Sequence, residues 1–204
     1  DFKRGANVFF EDNLSGERMG EFPSKWDLLE GSEVEVVNIK GAKAIRMEAS
    51  RIQPLMEEKE YLPEEFTIEF DVLAQPAEEG SGWDGTLDLI MDGADGKRVF
   101  DIRMSPEYHP YYGGEYSGIG WGWGAENPNG NKMEGEPGRQ TINRYLKKND
   151  WNHIAISFNK RAFKMYLNYQ RIVNIPNMIQ PRSWWMDGSS DSDKGIFVTN
   201  IVMA

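Results

Sequence analysis

The sequence contains no cysteine, so it can form neither a disulfide framework nor a thiolate site for catalysis or metal binding. It also lacks any apolar run close to the roughly 18 residues that a membrane-spanning helix requires. Positive charge is scarce, because 23 Lys and Arg residues stand against 33 Asp and Glu residues and the net charge is -10. Such an excess repels nucleic acid and anionic membranes unless a local basic patch exists, and no run of Lys and Arg predicts one. We therefore expect no nucleic-acid partner and no membrane span. No Gly-rich phosphate loop precedes a helix in the sequence, so we also expect no cofactor.

The sequence does contain enough apolar material for a packed core. Hydrophobic residues make up 39% of the 204 residues and aromatic residues 12%, which is typical of a globular protein and not of a disordered one. All-β sandwiches commonly reach ~200–250 residues as one unit, and no linker-like stretch interrupts this chain. We therefore predict a single domain over residues 1–204. Because the chain begins at Asp1 without a charged and apolar leader, we also expect a processed or excised segment of a longer protein.

Alternating apolar residues between Trp151 and Pro176 predict three consecutive antiparallel strands. Every second residue is apolar around Ile156 and again around Met165, and short polar stretches separate the strands. An antiparallel meander of this kind has to bury its apolar face against a second sheet. The same alternation predicts further strands at residues 34–47, 66–72, 87–91 and 99–104. No stretch has a convincing helical period.

This meander resembles the concanavalin A-like (laminin G-like) β-sandwich superfamily. The resemblance rests on a Trp that opens the first strand, a polar connection, and a second strand that reads Met-Tyr-Leu-Asn at residues 165–168. It implies an all-β fold, a two-sheet antiparallel β-sandwich (concanavalin A-like jelly roll) with roughly six or seven strands in each sheet. We also expect the last strand, residues 196–203, to pair near residues 8–10, which would bring both ends to the same part of the molecule.

Two short motifs near the amino terminus carry a second resemblance. Residues 10–16 read F-x-D-x-L-S-G, and residues 20–26 read G-x-F-P-x-x-W. This order is similar to the start of the sandwich module that precedes an OmpA-like peptidoglycan-binding domain in envelope proteins of Bacteroidetes-type bacteria. The resemblance implies a location in the cell envelope, either the periplasm or the outer membrane.

The Gly-rich and aromatic segment 106–138 is the predicted ligand-binding region. Within it, residues 118–124 alternate glycine with Ile119, Trp121 and Trp123, which on a strand gives one apolar face and one bare face. Aromatic rings can cover the apolar face of a sugar while nearby polar groups bond its hydroxyls. The alternative is that the two Trp residues fill the core. The predicted ligand-binding residues are His109, Tyr111, Tyr112, Tyr116, Trp121 and Trp123.

One acidic motif is a candidate for catalysis. Glu69-Phe70-Asp71 resembles the beginning of the E-x-D-x-x-E signature of related sandwich glycosidases, in which two carboxylates ~5–5.5 Å apart act as nucleophile and acid/base. Leu73 and Ala74 occupy the region where the third acid would fall. We therefore predict an ordinary outward-facing pair of charges and no catalytic residue.

The remaining polar residues do not predict a metal site. Asp187, Asp191 and Asp193 could supply oxygen ligands to Ca²⁺, but their spacing does not match an EF-hand, so we expect a solvated acidic loop. His109 and His153 lie far apart without the neighbours that zinc sites need, and His153 is expected to be structural.

These observations favour a non-catalytic binding or adhesion module of a bacterial cell-envelope protein, with a glycan or cell-wall polysaccharide as its partner. Two alternatives stay open. One is a structural spacer or protein-interaction domain of an OmpA-like envelope protein, and the other is a glycoside hydrolase. The sequence does not determine the glycan or the oligomeric state.

Overall fold

The computed structural model describes residues 1–31, 34–74, 85–105, 118–126, 128, 132–133, 145–147, 149–189 and 195–204. For residues 105, 118–126 and 132–133 the description is limited to the backbone. Within these residues no helix is long and apolar enough to cross a membrane.

The described residues form two antiparallel β-sheets that stack as a sandwich, which confirms the predicted fold class. The described residues contain one helical element, a short 3-10 helix at Ala94–Gly96. The strands are β1 (Phe10–Asp12), β2 (Trp26–Glu30), β3 (Val34–Ile39), β4 (Ala42–Met47), β5 (Ser50–Pro54), β6 (Glu65–Ala74), β7 (Thr86–Asp92), β8 (Arg98–Ser105), β9 (Gly118–Glu126), β10 (Lys132–Met133), β11 (Asn152–Asn159), β12 (Ala162–Leu167), β13 (Gln170–Ile175), β14 (Ser183–Ser189) and β15 (Ile196–Met203). The eight-stranded sheet has the order β13-β12-β11-β6-β15-β4-β3, with β1 also paired to β15, and the seven-stranded sheet has the order β10-β9-β8-β7-β14-β5-β2.

The core lies between the sheets and is built from every second residue of each strand. In β6, Ile68, Phe70 and Val72 are completely buried, as the alternation predicted. Phe70 stacks on Trp184 of the opposite sheet with ring centroids 6.1 Å apart, so the two sheets interlock through large aromatic groups. Burying one such apolar side chain stabilises the fold by roughly 1.5–3 kcal/mol.

The predicted meander is confirmed as β11, β12 and β13, which are joined by two-residue turns. The second turn, Asn168–Tyr169, has positive φ at both residues, +48° and +67°. Turns of this shape match the right-handed twist of the flanking strands, and they favour Asn followed by Gly. Tyr169 therefore occupies a backbone conformation that a bulky side chain rarely adopts.

The amino-terminal motifs are explained by local folding. Asp12 accepts a hydrogen bond from the backbone N–H of Leu14 and another from the indole Nε1 of Trp26, both 2.8 Å long. Trp26 is buried, so these bonds fix the start of the chain to the core. The first strand is shorter than expected, because β1 begins at Phe10, although the backbone N–H of Phe9 still donates to the carbonyl of Met203. Val8 and Phe9 remain 49% and 37% exposed.

The predicted pairing of the last strand with the first is confirmed, since Phe10 is opposite Met203. β15 lies inside the eight-stranded sheet, with β6 on one side and with β4 and then β1 on the other. Its register to β6 shifts between Thr199 and Val202, and Asn200 has a φ of +52° in this bulge. The bulge redirects the chain and lets the Asn200 side chain reach the outer face of the sheet.

Candidate functional site

The structure does not test the predicted ligand-binding residues. His109, Tyr111, Tyr112 and Tyr116 lie outside the described residues, and Trp121 and Trp123 lie in β9, where only the backbone is described. That backbone pairs Trp121 with Arg103 and Ile119 with Met104, with a register shift between the two pairs. The aromatic platform of residues 109–123 therefore stays a prediction.

Among the described side chains, Tyr169 is a large exposed aromatic group at the end of the meander. It is 62% exposed, and its ring stacks on His153 with centroids 4.8 Å apart and ring planes 19° from parallel. The preceding Asn168 accepts a hydrogen bond from the backbone N–H of His153 and donates one to the backbone carbonyl of Tyr145. These contacts hold the turn, and with it the ring, in a fixed position.

His153 lies between two carboxylates on the outer face of the eight-stranded sheet. The register of β6 and β11 places His153 opposite Asp71 and Ala155 opposite Glu69. The imidazole Nδ1 lies 2.7 Å from Asp71 Oδ1, and its Nε2 lies 3.1 Å from Glu69 Oε1. Arg4 of the amino-terminal segment donates to the second oxygen of Glu69. Glu69 and Asp71 both face outward, as predicted, but Glu69 is not an ordinary surface charge, because its side chain is 5% exposed and is enclosed by two cations.

This arrangement keeps the imidazole protonated near neutral pH. Burial alone would lower the pKa of His153, but the hydrogen bonds and negative charges of Asp71 and Glu69 outweigh burial and raise the pKa to about 9. Burial alone would raise the pKa of Glu69, but the hydrogen bonds from His153 and Arg4 outweigh burial and lower this pKa. Both ring nitrogens of His153 are therefore donors, and they join the carboxylates of Asp71 and Glu69.

These residues border an open cleft of about 410 Å³ that we call the Tyr169 cleft. Within it, Asn200 donates a hydrogen bond of 2.9 Å to Asp71 Oδ2. The residues that line the cleft are Arg4, Glu11, Asp12, Asn13, Asp71, His153, Tyr169, Asn200, Ile201 and Val202. The cleft thus combines one rigid aromatic ring with amide, carboxylate and guanidinium groups, and these are the groups that orient a polar ring-shaped ligand.

No group of three His, Asp, Glu or Cys side chains suited to a metal ion occurs among the described residues. Asp187 is not in a loop, because it belongs to β14 and accepts a 3.0 Å hydrogen bond from Arg51. Asp191 and Asp193 lie outside the described residues.

Sequence reasoning missed the Tyr169 cleft because its parts are far apart in the chain. Asp71 and His153 are separated by 82 residues and meet only through the register of β6 and β11. A local signal was present, however. The two-residue hairpin loop reads Asn-Tyr, although Asn-Gly would adopt this backbone conformation without strain. An aromatic residue at such a position indicates that it is retained despite a conformational cost.

Comparison with known proteins places the fold among lectin-like sandwiches. No protein-family model and no curated protein sequence matches the chain. The binding domain of Paraclostridial Mosquitocidal Protein 1 is similar over 97% of this chain, with a TM-score of 0.61 and 16% identity. That match covers 48% of the toxin domain, so this chain spans about half of its length.

Two further structures match over nearly their whole length. Domain 4 of AbnA, a GH43 extracellular arabinanase from Geobacillus stearothermophilus, solved in complex with arabinotriose, has a TM-score of 0.52 and 12% identity over 96% of this chain and 91% of its own. A carbohydrate esterase from the Shiga toxin-encoding bacteriophage phi24B has a TM-score of 0.55 and 13% identity over 98% of both chains. At these identities the likeness shows a shared fold, the β-sandwich of carbohydrate-binding and lectin domains. The shared fold agrees with the β-sandwich that the concanavalin A-like resemblance implied.

Proposed function

We propose that this chain is a non-catalytic glycan-binding module and that the Tyr169 cleft is a site where it contacts sugar. The observation that carries the proposal is the Tyr169 ring, which is 62% exposed although its backbone is in the left-handed region. A folded protein retains such a strained, solvent-facing aromatic group only when the surrounding structure imposes it, and such positions cluster at ligand sites. The shared fold with domain 4 of the arabinanase, which was solved with arabinotriose, supports the same ligand class.

The geometry of the cleft suits a sugar ring. One face of Tyr169 packs on His153, which leaves the opposite face available to cover the apolar C–H surface of a pyranose or furanose. Asn200, Asp71 and Arg4 then provide donors and acceptors beside that ring. Because His153 and Asn168 fix the ring before binding, little conformational entropy is lost when a ligand stacks on it.

The state of the acidic motif supports a non-catalytic role. Glu69 is held by Arg4 and His153, and Asp71 is held by His153 and Asn200, so neither carboxylate is poised as a free nucleophile or acid. Leu73 and Ala74, near the expected position of the third acid, are buried apolar residues.

A glycan array on the purified chain tests the proposal, with Tyr169→Ala and Tyr169→Phe as paired variants. We expect Tyr169→Ala to weaken binding by ~1–3 kcal/mol and Tyr169→Phe to retain it, because the stacking surface is kept. Phe22→Ala is the matched control, since Phe22 is an exposed aromatic residue that does not line the cleft. Equal binding by Tyr169→Ala and the unmodified chain would contradict the assignment.

The aromatic segment is a second part of the proposal. Replacing Tyr111, Tyr112, Tyr116, Trp121 or Trp123 by Ala should reduce glycan binding by ~1–3 kcal/mol with nearly unchanged thermal stability, if the ring stacks on sugar. A core ring would instead cost ~3–5 kcal/mol of stability. Variants that melt early and bind normally would remove this segment from the site.

The envelope location and a position beside an OmpA-like domain also belong to the proposal. Their support is the resemblance of the two amino-terminal motifs, residues 10–16 and 20–26. Detection of the natural protein in the outer-membrane fraction of its source cells tests the location, and its recovery among cytosolic proteins would refute it.

A further inference from the structure

A second cleft adjoins the Tyr169 cleft and has the opposite charge to the protein as a whole. It is open, has a volume of about 1280 Å³, and lies between the amino-terminal segment and the β11–β12 hairpin. Five cationic side chains and only two acidic side chains, those of Asp1 and Glu65, line it in a chain of net charge -10. We call it the cationic cleft and define it by Lys3, Arg4, Lys160, Arg161 and Lys164. The sequence-based expectation of no basic patch is therefore wrong, because the patch is assembled from two short Lys-Arg pairs and one further Lys.

Most of these cations have no carboxylate partner. Arg4 pairs with Glu69, but within the part of the chain that the structure describes no ion pair involves Lys3, Lys160, Arg161 or Lys164. Lys160 also has a φ of +59° at the hairpin tip, a strained conformation for a residue other than glycine. Unpaired like charges repel one another, so this grouping lowers stability unless an anion occupies the cleft.

The two clefts form one continuous surface because Arg4 lines both of them. His153 lies in β11, and Lys160 follows the end of this strand seven residues later. At ~3.3 Å per residue, the two residues are roughly 23 Å apart along the strand. A single sugar cannot reach from His153 to Lys160, whereas an oligosaccharide can.

On this geometry, and resting on the proposed glycan-binding function, we propose that the ligand is an acidic polysaccharide whose carboxylate or sulfate groups bind in the cationic cleft. A narrow polymer chain that follows the cleft meets mainly the local cations, because charges more than ~8 Å away are largely screened at physiological salt. A nucleic-acid duplex or an anionic membrane covers a wide area and would meet the negative remainder of the surface. The cleft therefore favours an acidic glycan over those two partners.

Charge reversal at the hairpin tip tests the inference. Lys160→Glu/Arg161→Glu removes two unpaired cations from the cleft, and Lys97→Glu/Arg98→Glu is the matched control. The control pair is also an exposed Lys-Arg sequence at the start of β8 on the other sheet and changes the net charge equally. It differs in that Arg98 pairs with Asp101, so the free energy of unfolding of both double variants is measured beside their affinities. Each protein is titrated calorimetrically with oligogalacturonate, a sulfated heparin oligosaccharide, neutral arabino-oligosaccharides and a single-stranded oligothymidylate, after circular dichroism has verified folding.

We expect an acidic oligosaccharide to bind the unmodified chain, with an affinity that falls as salt is raised and falls about tenfold or more in Lys160→Glu/Arg161→Glu. The control should change affinity less than about twofold. Preference for oligogalacturonate or for heparin identifies carboxylate or sulfate as the recognised group. Preference for oligothymidylate, equal losses in both double variants, or no binding of either acidic sugar would overturn the inference.

The same titrations separate this inference from the proposed function. Suppose that neutral sugars bind, that Tyr169→Ala weakens their binding, and that the charge reversal leaves it unchanged. Glycan binding is then supported, and the acidic ligand class is refuted. If acidic sugars respond to the reversal and not to Tyr169→Ala, the cationic cleft stands and the Tyr169 cleft is refuted. If no sugar binds, both proposals fail.

Discussion

The outer faces of the two sheets hold their charged residues in different ways. On the seven-stranded sheet, Arg103 pairs with Asp88, Arg98 with Asp101, and Arg51 with Asp187 at N–O distances of 2.8–3.1 Å. We call this surface the paired face. On the eight-stranded sheet, Asp71, Glu69 and Arg4 surround His153 in one hydrogen-bonded group that we call the His153 cluster. Beside it, the described residues show no ion pair at Lys160, Arg161 or Lys164 of the cationic cleft.

The difference indicates how each face contributes to the protein. Arg51 on the paired face also covers the ring of Trp185, with its guanidinium carbon 4.1 Å from the ring centroid, so that aromatic surface is already occupied. Tyr169 on the other face is covered on one side by His153 and is otherwise exposed. A surface whose charges and rings are mutually satisfied gains little from a ligand, whereas a surface with unpaired cations and an open ring can gain much.

The largest expected effect concerns pH and the His153 cluster. The pKa of His153 is raised from 6.5 to about 9, so the folded state holds this proton more tightly than the unfolded state. The resulting stability is fully present below pH 6.5 and is lost as the pH rises through about 9, to a total of at most about 3 kcal/mol. Urea unfolding measured across this range should show the decline, and the His153→Ala variant should lack it. A flat profile in the unmodified chain would contradict the protonated cluster.

Removing the imidazole should have the next largest effect. His153→Ala leaves Asp71 and the buried Glu69 without their shared donor, and we expect a loss of about 1–3 kcal/mol in the free energy of unfolding at pH 7. Glycan binding should weaken as well, because Tyr169 loses the ring that supports it. Unchanged stability would show that the carboxylates find replacement donors.

Substitutions in the turn at Tyr169 should change the free energy of unfolding less than His153→Ala does. Because φ is +67° there, Tyr169→Gly should be more stable than Tyr169→Ala by about 1 kcal/mol, since only Gly adopts this region without strain. Both variants lose the ring and should bind glycan equally weakly. A more stable Ala variant would mean that the turn relaxes once the ring is gone.

The smallest effect is expected on the paired face. A double-mutant cycle with Arg103→Ala and Asp88→Ala should give a coupling free energy of ~0.2–1 kcal/mol, because the guanidinium is about half exposed to solvent. None of the three proteins should change in glycan affinity. A larger coupling, or altered binding, would remove the distinction between the two faces.

The alternation of apolar residues predicted most of the scaffold, because strand period depends on local sequence. Residues 66–72 and the first two strands of the meander alternate as the structure requires, and the predicted strand region 34–47 forms β3 and β4. The surface sites could not be predicted in this way. The Lys-Arg pairs at residues 3–4 and 160–161 meet only because the amino-terminal segment crosses the sheet, and that path depends on long-range contacts such as the hydrogen bond from Gly5 to Thr67.

The central position of β15 bears on the order in which the protein folds. This strand is the last of the chain, yet it joins β6 to β4 and β1, so the eight-stranded sheet stays divided until residues 196–203 are in place. Its contacts with Phe10 and Val72 close very long loops, which is typical of slowly folding topologies. During synthesis, the β13-β12-β11-β6 part and the β4-β3 part of this sheet would each have an unpaired edge until residues 196–203 have been added. Native hydrogen exchange should in turn find the amides of β15 that bond to β6 among the last to exchange, because opening them requires both halves of the sheet to separate.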